Sequence, residues 1–391
     1  MSIHRIRLLQ NTMEAEGIAG CVLFQSRDVL YYTGTAQPEW LVLRPDDYHL
    51  FVRSGMDFAL RESPLPPGKI TRERSLAAAF SRMLPGDGRG ERVGTELDLL
   101  TIAEARSFHK ALGRRRLVDI TPAVLEQRMI KEPGEVELVR TACEAARAGH
   151  DAAVQFLSSP GDKTELAMAA AVENAQRLAG HEGVFFMRQP DFVMGRGPLA
   201  SGPNLREISG VVFSITGRGL SPAVPAGASD RTLRKGDLIL IDIPPCVRGY
   251  HADQTRMYCL GPPPARALDY QSRLRELADD LRTRMKPGLT CDEVYGCALR
   301  KAASLGIEDA LLRFPDGAAA HFVGHGVGLE LNEPPLLARG RMNRLEAGMV
   351  LALELHIMTK DGITLKLEDT CHLGENSCRL LTSSPRELTV V

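Results

Sequence analysis

Residues that could do chemistry concentrate in the segment 321–335, whose sequence is HFVGHGVGLELNEPP. Two histidines, His321 and His325, lie four residues apart among glycines, and clustered histidine and glycine commonly mark a functional site. Asn332 stands seven residues after His325, where a third titratable side chain would complete the group. The segment predicts a site and leaves this asparagine to be explained.

Four carboxylates elsewhere in the chain are candidates for the same site: Asp242, Asp253, Glu354 and Glu368. Asp242 follows the run LILI, and Glu354 follows the run MVLAL. An isolated acidic residue in a strand is usually solvent-facing, but runs without polar alternation predict strands that are buried on both faces. Buried carboxylates repel one another and lose solvation, so either cations neutralise them or some stay protonated.

A single histidine with four carboxylates suits divalent ions with oxygen-rich coordination, such as Mn, Co, Fe or Zn. Two such ions about 3.5–4 Å apart, sharing carboxylates and a water, generate a hydrolytic nucleophile at neutral pH. These residue types therefore predict a two-metal hydrolytic site, provided that the fold brings His325 and the four carboxylates together.

The composition is that of a soluble globular protein, with 391 residues, 44% of them apolar and 25% charged, and a net charge of −1. No long Lys/Arg block indicates a nucleic-acid or membrane-surface partner. No run approaches the roughly 18 apolar residues of a membrane span, and the N-terminus does not resemble a signal peptide. The eight cysteines include no Cys-x-x-Cys pair, so we expect reduced thiols and a cytoplasmic location.

The elements that must position these residues divide into two predicted domains, 1–130 and 131–391, because single cores rarely grow to this length. The first alternates helices with strands, which predicts a small α/β domain with a mixed or parallel sheet. Within it, LVLRPDDYHLFVR predicts a hairpin whose turn is Pro45-Asp46-Asp47. In the second, the order helices–strands–helices–strands indicates a duplicated α+β unit that begins with a long amphipathic helix.

The motifs resemble those of the pita-bread metallopeptidases, the superfamily of aminopeptidase P, prolidase, methionine aminopeptidase and creatinase. GYHADQTRMY is similar to their Gly-Tyr-x-x-Asp-x-Thr-Arg motif, and GHGVGLELNEPP is similar to their Gly-His-Gly-x-Gly…His-Glu-x-Pro motif. GMVLALE and LEDT match the two glutamate motifs, and RMIKEPGEVELVRTA resembles the first helix of the catalytic domain in prolidase and aminopeptidase P. The likeness is close over about 130–375 and general over the N-terminal domain.

The resemblance implies an α+β fold, with a C-terminal pita-bread domain (duplicated α+β units and a curved antiparallel sheet) and a smaller creatinase-like α/β domain before it. It implies that five residues ligate two divalent ions: Asp242, Asp253, His325, Glu354 and Glu368. It also implies that Glu354 shuttles protons as well as binding metal. The partners that it implies are a small peptide or amide substrate and a second copy of the chain in a homodimer.

The chain departs from the family pattern at the groups that contact the substrate carbonyl. One catalytic histidine of the family lies seven residues after the metal-binding one, where this chain has Asn332, and another is replaced by Pro225. Losing such a donor typically lowers the rate by about 10²–10³-fold. Asparagine still donates a hydrogen bond but cannot carry a proton. Two smaller departures are Pro244 for a usual glycine and Lys366 for a frequent arginine.

Other polar residues are candidates to contact the substrate instead. Side chains two residues apart on a strand share a face, which pairs three candidates with predicted ligands: His356 with Glu354, Lys366 with Glu368, and His251 with Asp253. His321 matches a substrate-side histidine of aminopeptidase P, so the resemblance makes it a catalytic and substrate-binding candidate beside Asn332. The alternative for each is a structural role or, for His251, exposure to solvent.

Two functions from different classes remain open at this point. The first is a two-metal hydrolase of the aminopeptidase P and prolidase type that cleaves a peptide or amide bond, with Xaa-Pro peptides as poor substrates. The second is a catalytically inactive pseudo-peptidase that binds a peptide, a small amide or a protein partner. The five retained ligands favour the first and the missing histidines favour the second. A lyase that uses the same metals is a third possibility.

Overall fold

The computed structural model of the protein describes residues 2–189, 191, 196–210 and 214–391. The chain divides into two compact units, Met1–Arg128 and Met129–Val391. This division lies two residues before the expected boundary at 130. In the described ranges, no helix is both long enough and apolar enough to cross a membrane.

The first unit is built on a six-stranded mixed sheet. Its elements are α1 (Ser2–Glu16), β1 (Gly20–Leu23), α2 (Ser26–Thr33), β2 (Glu39–Leu43), β3 (Tyr48–Val52), α3 (Met56–Glu62), a 3₁₀ turn (Pro67–Lys69), β4 (Ile70–Arg72), α4 (Leu76–Met83), β5 (Arg92–Thr95), α5 (Ile102–Leu112), β6 (Arg116–Asp119) and α6 (Thr121–Met129). The order is β4-β3-β2-β1-β5-β6, with the β1–β2 and β2–β3 pairs antiparallel and the others parallel. The predicted hairpin is confirmed, since β2 and β3 pair with Leu43 opposite Tyr48.

Glu39, at the start of β2, is a buried carboxylate that has no hydrogen-bond partner for its side chain among the described residues. Glu39 is 5% exposed, and neither of its side-chain oxygens has a hydrogen-bond partner within the described residues. Burial, with a smaller contribution from the charge of Glu62, raises the pKa of Glu39 from 4.5 to about 9. The folded unit therefore holds a proton on Glu39 at neutral pH, whereas the unfolded chain releases it.

We expect the free energy of unfolding of this unit to fall as the pH rises from about 5 to 9, because the folded state binds more protons than the unfolded state in that window. Glu39→Gln removes this titration, so the variant should match the wild type near pH 5 and exceed it near pH 9 by up to about 6 kcal/mol, at about 1.4 kcal/mol for each unit of pKa shift. Trp40, the single tryptophan, reports urea unfolding beside the substitution. Glu14→Gln, on the exposed side of α1, is the control, and a Glu39→Gln profile parallel to that of the wild type would contradict the prediction.

The second unit repeats helices and strands in the predicted order. Its elements are α7 (Pro133–Ser158), α8 (Glu165–Leu178), β7 (Leu199–Ser201), a 3₁₀ turn (Gly202–Arg206), β8 (Leu238–Ile241), β9 (Cys246–Val247), β10 (Tyr250–His251), β11 (Arg256–Cys259), α9 (Ala267–Arg284), α10 (Cys291–Ser304), β12 (Phe322–Gly326), β13 (Glu333–Ala338), β14 (Val350–Met358), β15 (Thr364–Leu373), β16 (Cys378–Leu380) and β17 (Thr389–Val390). The predicted long amphipathic helix is α7, which begins with a proline at its first position and a capping box between Glu132 and Glu135.

Two sheets of this unit support the candidate site. One has the order β17-β11-β8-β7 and the other the order β13-β12-β14-β15-β16. Neighbouring strands are antiparallel except for the β11–β17 pair. The two sheets meet where Thr255, just before β11, forms a bridge with Glu368 of β15. Residues from both sheets can therefore reach one point.

Candidate metal centre

The five residues predicted as ligands come from both sheets. Asp242 directly follows β8, Asp253 lies between β10 and β11, and His325 is in β12. Glu354 of β14 and Glu368 of β15 are opposite each other in register. β14 pairs with both β12 and β15, and His325 is opposite Ala352, two residues before Glu354, so the three strand residues lie on adjacent strands of one sheet. All five are buried, and the structure brings them into one cluster.

On one side of the cluster lies a triad, defined as Asp253, His325 and Glu368. The Nε2 atom of His325 is 3.6 Å from Oδ2 of Asp253 and 3.8 Å from Oε1 of Glu368. These separations are too long for hydrogen bonds, and they suit ligand atoms that share an ion about 2.0–2.2 Å from each of them. Each member offers one ligand atom, and these atoms all lie within 4.8 Å of one another.

The chemistry of the triad fits a divalent ion. Nδ1 of His325 lies 3.0 Å from the carbonyl oxygen of Gly326, and donation to that oxygen leaves the lone pair of Nε2 facing the carboxylates. Burial lowers the pKa of His325, which favours the neutral imidazole that ligates metals. Oε1 of Glu368 is buried and has no hydrogen-bond partner within the described chain, although such oxygens are rarely left alone.

On the other side of the cluster, the ammonium of Lys366 lies among three carboxylates. Its Nζ is 2.5 Å from Oδ2 of Asp242, 2.7 Å from Oε1 of Glu354 and 3.0 Å from Oε2 of Glu368. The lysine side chain is only 2% exposed. An ammonium has three N–H donors, and each of them has a carboxylate here. We call Lys366 with these three acceptors the lysine cluster.

The negative charge of the four carboxylates is only partly compensated by Lys366. Burial, reinforced by neighbouring carboxylates, raises the pKa of Asp253 well above its usual range. Burial also raises the pKa of Glu368 well above its usual range, in spite of Lys366. Burial alone would raise the pKa of Glu354 too, but Lys366 and then His325 outweigh it, and the pKa of Glu354 is lowered. Burial raises the pKa of Asp242 as well, in spite of Lys366, so a further cation would stabilise the ionised forms of three of the four carboxylates.

A cleft lies over the cluster, with about 550 Å³ of empty space when the solvent at its mouth is included. Its wall is mainly apolar and consists of Phe185, Met187, Gly197, Pro198, Ile215, Pro244 and Leu331. Ser214, Thr216 and Asn332 add polar groups. An apolar wall with a few polar groups above a charged floor is typical of sites for small molecules.

Among the predicted substrate contacts, the structure separates those at the cleft from those elsewhere. Asn332 and Lys366 line it, whereas His321 is exposed and does not. His356 does not line it either, since its Nε2 lies 3.2 Å from the carbonyl oxygen of Arg313 and its ring packs on Phe314. His356 shares the face of Glu354, as alternation requires, but two residues along a strand displace it by about 7 Å.

His251 is neither at the cleft nor exposed to solvent. It is fully buried, its Nε2 accepts a hydrogen bond of 2.9 Å from the backbone of Phe186, and its Nδ1 lies 2.9 Å from the carbonyl oxygen of Gly328. The neighbours of Phe186 in sequence, Phe185 and Met187, line the cleft. The role of His251 is therefore to hold a segment of the cleft wall.

The groups that hold the carboxylates in place were not among the residues predicted from the sequence. Thr255 donates a hydrogen bond of 2.8 Å to Oε2 of Glu368. Thr370 accepts a hydrogen bond of 2.8 Å from the backbone N–H of Asp253, and Arg256 donates one of 2.6 Å to the carbonyl oxygen of Glu368. The signal was present, because these residues occupy the Thr-Arg of GYHADQTRMY and the Thr of LEDT.

Two family profiles match this sequence. The profile of metallopeptidase family M24 matches residues 137–375. That of the creatinase/prolidase N-terminal domain matches residues 5–130. The two matches account for most of the chain and fall on separate units of the structure.

Individual proteins are similar over nearly the whole length. An Xaa-Pro dipeptidase of Pyrococcus furiosus is 26% identical over 388 residues, which cover 98% of this chain and 99% of that protein. The crystal structure of an X-Pro aminopeptidase of Thermotoga maritima superposes with a TM-score of 0.79 at 23% identity, covering 99% of each chain. An Xaa-Pro dipeptidase structure from Bacillus anthracis reaches a TM-score of 0.82 at 20% identity, covering 100% of both chains.

Proposed function

The chain belongs to metallopeptidase family M24, and on this premise we propose that its cleft hydrolyses a peptide or amide bond of a small substrate with a divalent ion held by the triad. The observation that carries the proposal is the buried meeting of Asp253, His325 and Glu368 beneath the cleft. The Pyrococcus furiosus relative is named an Xaa-Pro dipeptidase, which favours a dipeptide or similarly short substrate.

Each residue of the cluster has a role in this proposal. A bound divalent ion supplies a water whose pKa is lowered toward neutrality. Asp253, His325 and Glu368 hold that ion. Glu354, whose pKa is kept low mainly by Lys366 against the effect of burial, is ionised and accepts a proton from the attacking water, then returns it to the leaving amine. Its Oε2 lies 3.8 Å from Nε2 of His325, so its carboxylate borders the triad.

The native metal is one of Mn, Co, Fe or Zn, which suit a mixed oxygen and nitrogen ligand set. The resemblance to the pita-bread enzymes implies two ions, held by the five predicted ligands together. In this chain Asp242 and one oxygen each of Glu354 and Glu368 contact Lys366. The proposed hydrolysis needs only the ion of the triad.

The groups that would hydrogen-bond to the substrate carbonyl oxygen differ from those of the family. Asn332 lines the cleft, so its amide can donate a hydrogen bond to the carbonyl oxygen but cannot transfer a proton. Pro225, at the other histidine position, offers no side-chain donor and does not line the cleft. We therefore expect Xaa-Pro dipeptides to be cleaved about 10²–10³-fold more slowly than by a prolidase that has both histidines.

The proposal is tested by making protein without metal, reloading it separately with Mn, Co, Fe or Zn, and measuring hydrolysis of Xaa-Pro dipeptides, other dipeptides, tripeptides and simple amides. We expect turnover of at least one class, lost in the chelated protein and restored by one of the metals. Asp253→Asn, which removes a triad carboxylate with little change of shape, should lose activity in every metal.

Two outcomes would contradict parts of this proposal. Cleavage of Xaa-Pro dipeptides at ordinary prolidase rates would contradict the expectation that Asn332 and Pro225 make these dipeptides poor substrates. Protein that holds metal and binds peptides but turns over none of the panel would replace the hydrolase with the pseudo-peptidase alternative. A homodimer and a cytoplasmic location, which the resemblance and the cysteine pattern imply, stay predictions that sedimentation and cell fractionation can check.

A further inference from the structure

Glu354 and Glu368 each have one carboxylate oxygen on the triad side of the cluster and the other on the Lys366 side. Oε2 of Glu354 and Oε1 of Glu368 face Nε2 of His325, at 3.8 Å each. Oε1 of Glu354 and Oε2 of Glu368 face Nζ of Lys366, at 2.7 Å and 3.0 Å. Both carboxylates therefore bridge two positions, as carboxylates do between paired cations. One position is the triad and the other is filled by an ammonium.

We propose that Lys366 permanently takes the place of the second cation, so that each chain binds a single divalent ion, at the triad. The inference rests on the proposed metal centre and specifies how many ions it contains. The sequence motifs predict two ions, because they contain all five ligands. The motifs do not show that the side chain of Lys366 lies among three of these ligands.

Space at the lysine cluster excludes a second ion while Lys366 is there. Nζ is 2.5–3.0 Å from three carboxylate oxygens, and an ion would have to lie about 2.0–2.2 Å from the same oxygens. The two cations would overlap and repel strongly in a buried site. A second ion can bind only if Lys366 leaves.

Movement of the Lys366 side chain out of the lysine cluster is unfavourable. This side chain is 2% exposed, and the residue lies near the start of β15, with His356 as its cross-strand neighbour. A buried ammonium without partners loses both its solvation and its hydrogen bonds. Within the site, all three N–H donors of Lys366 face carboxylate oxygens, at 2.5 Å, 2.7 Å and 3.0 Å.

The exchange of the family's frequent arginine for lysine fits this role. An ammonium is a compact point charge with three donors that can point to three separate carboxylates, whereas a guanidinium is a planar fork that favours bidentate pairing. Lysine is thus the basic side chain that most closely imitates a small cation among carboxylates from three segments: Asp242, Glu354 and Glu368.

The test counts tightly bound ions. Wild-type protein is saturated with Mn²⁺ or Zn²⁺, desalted and measured by elemental analysis, and Mn²⁺-loaded samples are examined by electron paramagnetic resonance. We expect one ion per chain and the spectrum of uncoupled Mn²⁺. Lys366→Met, which keeps the length but removes the charge and the donors, should bind two ions per chain. Lys131→Met removes a buried lysine paired with Glu333 at 2.7 Å and should keep one ion.

A second pair of variants keeps the test decisive if Lys366→Met does not fold. Asp253→Asn should weaken Mn²⁺ binding by more than about 100-fold, and Asp242→Asn by no more than the roughly 10–100-fold of a residue that does not itself ligate the ion, since only Asp253 belongs to the triad. Two ions in the wild type, one ion in folded Lys366→Met, or equal losses in the two aspartate variants would overturn the inference. Two ions would leave the proposed hydrolase intact, whereas no ion at all would overturn both.

Discussion

Replacing Glu354 with glutamine is expected to lower kcat/KM by about 10²–10⁴-fold, the usual contribution of a positioned acid–base group. Glutamine has the shape of glutamate and can still accept a hydrogen bond from Lys366, but it cannot take a proton from water. The triad keeps all three of its ligands in this variant, so its metal content should stay at the wild-type level. The measurement is steady-state kinetics on the best substrate of the panel, with elemental analysis of the same samples.

The matched control is Glu346→Gln, which removes an exposed carboxylate just before β14 and should leave kcat/KM unchanged. Wild-type rates in Glu354→Gln would show that the proton is moved by another group. Loss of the ion together with activity would make Glu354 an indispensable ligand, and it would count against a site that consists of the triad alone.

The fold could be predicted in outline from the sequence. The α+β architecture, with a creatinase-like first unit and a pita-bread second unit, is confirmed. The hairpin between β2 and β3 was predictable because Pro45-Asp46-Asp47 is local turn chemistry. Pairings such as β11 with β17, which join residues more than a hundred positions apart in strands of four and two residues, carry no comparable local signal.

The meeting of the five predicted ligands was also predictable, but only through the motifs as a set. Each carboxylate alone fits an ordinary surface position, and the apolar runs before Asp242 and Glu354 indicate burial without saying which strands are neighbours. The register between β14 and β15 brings the two glutamates together, because it places Glu354 opposite Glu368. Their roles as ligands stay predictions until metal binding is measured.

The position of Lys366 shows where strand alternation stops being informative. Alternation places Lys366 on the face of Glu368 and His356 on the face of Glu354, and the register makes these two residues cross-strand neighbours. It does not determine side-chain rotamers or how far each side chain reaches. The long lysine bends back among the carboxylates, whereas the shorter imidazole hydrogen-bonds to Arg313. The same pattern therefore yields one residue in the site and one outside it.

Replacing Arg256 with methionine is expected to destabilise the protein by about 3–5 kcal/mol, the range for breaking one side of a buried ion pair. Arg256 is 2% exposed and donates hydrogen bonds of 2.6 Å to Oδ1 of Asp369, 2.6 Å to the carbonyl oxygen of Glu368 and 3.1 Å to that of Ser384. These bonds join β11 to β15 directly behind the triad. Urea denaturation followed by circular dichroism gives the loss.

The size of that loss depends on burial, which a pair of control variants can isolate. Arg140→Met breaks an exposed pair with Glu137 on α7, at 3.3 Å, and should cost no more than about 0.5 kcal/mol. Adding Asp369→Leu to Arg256→Met should recover no stability, because Asp369 also pairs with Arg386 at 2.7 Å and accepts a hydrogen bond of 2.8 Å from Thr382. If Arg256→Met and Arg140→Met had equal effects, the link between the sheets would not depend on this arginine. Another interaction would then have to hold Glu368 in its position in the triad.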